Sequence, residues 1–254
     1  MSSEPHVNLT DPQSALGIGS LMSLLLAVSL GALGALVVLP NWAPALTKTL
    51  MGTDPKAYWY LSRGSAFVAL GLLWISMVLG LLITDKVAKS WPGAPAAFAI
   101  HEYVSLLGLV FAGFHALILL GDHFIKYQVA QILVPFGSVN YHPIWVGVGQ
   151  VGFYVWALIS ATFYVRHLIG PKAWRLIHFA SFFNFAVAMI HGLGAGTDHA
   201  TAWAQAIYWT MGASTFFLTV YRVAAAVVGP ERRAFQKTAP PVPPSSSEPS
   251  GNSI

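Results

Sequence analysis

Long apolar runs separated by short polar stretches dominate the chain. Runs of roughly 20 apolar residues, enough for a helix to cross the hydrocarbon of a bilayer, occur at about 15–39, 57–84, 98–120, 143–166, 174–195 and 203–228. The pattern predicts an all-α integral membrane bundle of six spans. Ahead of the first run lies MSSEPHVNLTDPQS, residues 1–14, a polar segment without the basic stretch and cleavage site of a secretory signal, so the first span is expected to be retained. The six-helix domain is expected over 15–229. Residues 230–254, PERRAFQKTAPPVPPSSSEPSGNSI, read as a disordered Pro/Ser-rich tail.

Composition agrees with this picture. Of 254 residues, 56% are hydrophobic and 9% charged, against about 25% charged in a soluble domain. The net charge of +4 does not point to nucleic acid, because the basic residues lie between apolar runs rather than along one face. They fall unevenly. Lys86, Lys89, Arg166, Lys172, Arg175, Arg222, Arg232, Arg233 and Lys237 lie on one side, and Lys48, Lys56 and Lys126 on the other. By the positive-inside rule both termini are cytoplasmic in a plasma or inner membrane. The third and fifth spans then both run from inside to outside. Cysteine is absent, which excludes thiolate-held iron–sulfur clusters, disulfide relays and cysteine nucleophiles. Any metal must be held by His, a carboxylate or Met.

Four histidines carry the chemistry. The third span reads HEYVSLLGLVFAGFH and places His101 near its inner end and His115 towards its outer end. The fifth reads WRLIHFASFFNFAVAMIH and places His178 and His191 in the same way. The intervals are 14 and 13 residues, so each pair is separated by roughly 20 Å along its helix. On co-directional helices His101 faces His178 at one level and His115 faces His191 at another. Each level offers two imidazoles, as a low-spin haem iron with two axial histidines requires. Fourteen residues return to within about 40° of the starting face, whereas thirteen end about 140° away. The fifth span therefore needs a bulge, a kink or offset rings to aim both histidines at the third. A haem-free proton, ion or metal transporter using the same histidines is the competing expectation.

The segments AYWYLSRGSAFVALGLL in the second span, the His101/His115 pair, LVPFGSVNYHPIWVGVG entering the fourth, and WRLIH with HGLGAGTD on the fifth together resemble the ferric reductase-like transmembrane domain. That family includes bacterial ferric reductase-like proteins and NADPH oxidases, and the likeness covers residues 57–200. It implies two b haems held by His101, His115, His178 and His191, with the same uneven spacing, and an arginine at the position of Arg63 beside the outer haem. From its place one turn into the second span, Arg63 is expected either to neutralise an outer propionate or to snorkel to the headgroups. Arg175, one turn before His178, is read equally as a partner of an inner propionate and as a topology anchor.

Asp122 and His123 follow His115 at the same intervals at which Asp198 and His199 follow His191, and His142 opens the fourth span on that side. These residues suit either a metal or acceptor site or ordinary polar helix ends. No glycine-rich dinucleotide fingerprint follows a strand; GLGAGTD leaves a membrane helix and is rejected as a phosphate loop. A flavin or quinone is thus expected to come from a separate partner. The resulting expectation is a transmembrane b-type cytochrome, an oxidoreductase moving electrons from a cytoplasmic or quinol donor to an extracytoplasmic acceptor. Helices two and four would wall the haems and one and six would pack. A membrane-anchor cytochrome subunit of a larger oxidoreductase is the second alternative.

Overall fold

The computed structural model describes residues 56–85, 87, 93–122, 125–139 and 141–238, with Gly17, Gly19, Ser23 and Leu26. The first expected span, 15–39, otherwise lies outside the described residues. The five remaining spans are present as α1 (Lys56–Thr84), α2 (Ala94–Leu117), α4 (Pro143–Tyr164), α6 (Pro171–Ala195) and α7 (Ala202–Thr238). A 3-10 turn over Ile118–Gly121 completes the expected 98–120 span. Two short helices, α3 (Val129–Leu133) and α5 (Arg166–Ile169), sit in the connections. Among the described residues there is no strand. All five long helices are apolar enough to cross a bilayer, which makes the chain a multi-pass membrane protein.

Two helix starts differ from expectation for one reason. The third and fifth spans were placed from 98 and 174, but α2 begins at Ala94 and α6 at Pro171. Each carries a proline in its first turn, where the missing N–H would have had no helical partner. Each follows a glycine at positive φ, Gly93 at 99° and Gly170 at 81°. Proline thus opens these helices rather than marking the loops before them. At the other end of the chain α7 runs on to Thr238. Residues 230–238, placed in the disordered tail, are therefore helical; ERRAFQK is rich in good helix formers. Residues 239–254 lie outside the described residues.

The helices are apolar nearly all round, as lipid requires. On α6, Leu176, Phe179, Phe183 and Ile190 are exposed, while Asn184, Phe185 and Val187 are buried, so one stripe faces lipid and the other the bundle. Helix α1 packs most extensively on α2, and α4 on α6. Leu70, Leu73 and Met77 of α1 meet Trp156 of α4, Phe185 of α6 and Tyr208 of α7 in the core. At Gly108 a side chain would stand 2.7 Å from the Trp156 ring, so glycine there lets the indole lie against α2. The two histidine-bearing helices, α2 and α6, are bridged mainly through α1 and α4, which leaves room between them.

Candidate functional site

Across that room the four histidines meet in two separate pairs. The His101 and His178 rings have centroids 6.1 Å apart at an interplanar angle of 70°. His115 and His191 stand 6.2 Å apart at 72°. The pairing is therefore the expected one, and α2 and α6 are co-directional. A metal ion held axially between two imidazoles, with bonds of about 2 Å and about 1.1 Å from nitrogen to ring centre, sets the centroids about 6.2 Å apart. Both pairs match that spacing.

The outer edges of the rings are tied down. His115 Nδ1 lies 2.8 Å from the Ser62 carbonyl and 2.9 Å from its hydroxyl. His101 Nδ1 lies 2.9 Å from the Ser76 carbonyl and 3.3 Å from its hydroxyl. His191 Nδ1 lies 2.8 Å from the Trp145 carbonyl. A carbonyl only accepts, so Nδ1 carries the proton in these three rings and the Nε2 lone pair is free, as in histidines that ligate metals. His178 is placed differently: Trp174 stacks on it at 5.2 Å and 28°.

The thirteen-residue interval on α6 is accommodated by side chains. The helix is continuous from Pro171 to Ala195, with neither bulge nor break. His191 reaches sideways to α4, where its ring lies so close to Gly149 that a side chain at that position would overlap it. Stacking on Trp174, one turn earlier on α6, settles His178. Offset rings, rather than a distorted backbone, aim both histidines at α2.

A cavity of about 430 Å³ surrounds the His115–His191 pair. Its walls are apolar, formed by residues such as Leu70, Leu73, Ala112, Phe153 and Trp156, and its mouth is polar, with Arg63, Tyr127, Tyr141 and Asp198. Arg63 forms a bidentate pair with Asp198: Nε donates to Oδ2 at 2.7 Å and a terminal nitrogen donates to Oδ1. The Tyr141 hydroxyl donates to the Ala195 carbonyl at 2.7 Å, and Tyr127 meets the Ser138 hydroxyl at 3.1 Å. Burial pushes both phenols above their ordinary range; Tyr127 adds to this at Tyr141, and Arg63 opposes it. Both phenols are therefore neutral at physiological pH, and the Arg63–Asp198 pair brings opposite charges together beside them. The connection between α2 and α4, which lines part of the cavity, is held by Gln150, whose amide donates to the Gln131 and Ile132 carbonyls at 2.7 Å each and accepts from the Phe136 N–H at 2.9 Å.

The remaining candidates are dispersed. Arg175 is exposed at the start of α6. Asp122 Oδ1 accepts the Ile125 N–H at 2.8 Å and shapes the turn leaving α2. Asp198 is committed to Arg63, and His199 Nδ1 meets the Gly196 carbonyl at 2.7 Å. His142 is exposed beside the Tyr141 ring, and His123 lies outside the described residues. Among the described residues no three His, Asp or Glu side chains converge as for a bare metal ion. Two participants carried no sequence signal that singled them out: the Trp145 carbonyl, and buried Glu102, which accepts from Tyr164 at 2.8 Å beside His101.

Comparison with family models, with curated proteins and with solved structures returned no match for this chain. The likeness to the ferric reductase-like domain stands on the motifs alone.

Proposed function

We propose that the chain is a bis-haem b-type transmembrane cytochrome, ferric reductase-like, that passes electrons from a cytoplasmic or quinol donor to an extracytoplasmic acceptor. One observation carries the reading: two imidazole pairs, at two depths, each with the centroid spacing of axial ligands to one iron. His101 and His178 would hold one haem, and His115 and His191 the other. A bare divalent ion takes three or four protein ligands, whereas a porphyrin fills the equatorial positions and leaves two for histidine. The cavity at the His115–His191 level, apolar within and polar at its mouth, suits an amphipathic macrocycle with its carboxylates towards Arg63.

Bound iron supplies a one-electron change at each level. The chain's own residues grip and orient, and no side chain has to transfer a proton. Ser62, Ser76 and Trp145 fix the ring tautomers, Trp174 braces His178, and the apolar helix faces exclude water. Arg63, its charge balanced by Asp198, turns its remaining guanidinium donors to the outer haem's carboxylates in this reading, and Arg175 serves the opposite end. In this reading the membrane is the plasma or inner membrane with cytoplasmic termini, and a separate flavoprotein or the quinone pool supplies electrons.

Haem quantitation with a reduced-minus-oxidised visible spectrum tests the proposal. The purified protein is expected to carry two b haems per chain, and a histidine-to-alanine change at either level is expected to remove one. A colourless protein, or full pigment after His101, His115, His178 and His191 are all replaced by alanine, would overturn it. In that case flux across liposomes that depends on His101 or His115 would place the chain among transporters.

A further inference from the structure

The helix facing the histidines has a register of its own. Ser62 and Ser76 on α1 are 14 residues apart, the interval between His101 and His115 on α2. Because α1 and α2 run in opposite directions, Ser62 comes opposite His115 and Ser76 opposite His101. Both serines are buried, at 3% and 6% exposure. Each meets the histidine Nδ1 with its carbonyl and its hydroxyl together.

The hydroxyl hydrogens are used elsewhere. Ser62 Oγ donates to the His115 carbonyl at 2.9 Å. Ser105 donates to the His101 carbonyl at 2.6 Å, so its oxygen accepts from Ser76, also at 2.6 Å. Each serine oxygen is thereby left with lone pairs towards its histidine. The Nδ1–H is shared between two acceptors of one residue.

We propose that Ser62 and Ser76 are positioning residues that fix the tautomer and ring direction of His115 and His101 and tune the two irons separately. The inference rests on the bis-haem reading. Hydrogen bonds accepted from Nδ1–H make an imidazole a stronger donor to iron, which favours the ferric state. Loss of the serine hydroxyl therefore raises the midpoint potential of the iron that histidine holds. The closer hydroxyl, at Ser62, has the larger effect.

The test is a potentiometric titration of purified haem-loaded protein, comparing wild type with Ser62→Ala and Ser76→Ala at unchanged haem content. Each substitution is expected to move one midpoint upward and leave the other in place, and the two are expected to move different haems. Ser62→Thr and Ser76→Thr, which keep the hydroxyl, are expected to restore the wild-type values. Two haems per chain with neither midpoint moved, or both moved together, would overturn the inference while leaving the haem assignment intact. Nitrogen-15 NMR of the haem-free protein supplies a readout independent of iron. Protonation of His101 and His115 at Nδ1 is expected; protonation at Nε2 would overturn the serine assignment whether or not haem binds.

Discussion

Gly149→Ala puts the site geometry under the sharpest strain. A Cβ added at Gly149 would stand 2.5 Å from Cε1 and 2.7 Å from Cγ of His191, with Nδ1 closer still. Ordinary carbon contacts begin near 3.4 Å, so the ring has to retreat by about 0.9 Å, a large fraction of an iron–nitrogen bond of about 2 Å. Moved towards His115, it closes the 6.2 Å spacing below what an iron needs; moved aside, it loses the Trp145 carbonyl. Breaking that bond alone costs about 1–3 kcal/mol in a buried site. Glycine-to-alanine in a helix interior otherwise stabilises by about 1 kcal/mol, so α4 itself does not suffer. Haem quantitation is expected to fall from two towards one per chain, with the His101–His178 signal retained. Gly113→Ala is the control: its Cβ would meet the Phe153 ring at 3.7 Å, and both haems are expected to stay. Two haems and an unchanged spectrum in Gly149→Ala would refute the placement of His191 over α4.

Other expectations follow from neighbouring contacts. Arg63→Ala is expected to shift the midpoint of one haem and leave the other nearly unchanged in a redox titration. It also strands the Asp198 carboxylate, so the double variant with Asp198→Asn is expected to recover part of the lost thermal stability in a double-mutant cycle. Tyr164→Phe removes a hydrogen bond to buried Glu102 and is expected to cost about 1.5–3 kcal/mol, read as a lowered Tm with haem content preserved. Because the chain has no cysteine, single cysteines report topology directly. Lys126→Cys is expected to label with impermeant maleimide from outside intact cells, and Arg175→Cys only after permeabilisation.

The spans were legible because lipid demands near-continuous apolar runs, and that demand overrides finer preferences. Helix starts were legible only to within one turn, since Pro95 and Pro171 look like breakers until their place in a first turn is seen. The histidine pairing could be read from the intervals of 14 and 13 once the third and fifth spans were seen to run in the same direction. How α6 would absorb the shorter interval could not, because the answer lies in a bare backbone edge at Gly149 and in the Trp145 carbonyl on another helix. On local spacing Asp198 and His199 suit either a metal or acceptor site or ordinary polar helix ends. The true partner of Asp198, Arg63, is 135 residues away in sequence, and nothing local announces that pairing. Ser62 and Ser76 were open to discovery, since their interval repeats that of the histidines they face.

Electron paramagnetic resonance of the oxidised protein at low temperature tests the central claim most directly. If each pair holds a haem as proposed, imidazole planes crossed at 70° and 72° would make each ferric iron low-spin, with the strongly anisotropic signal of crossed rather than parallel rings. Two such signals, one lost on replacing His115 and the other on replacing His101, are what this arrangement predicts. A protein with no low-spin ferric signal, or with iron that stays high-spin, would contradict it.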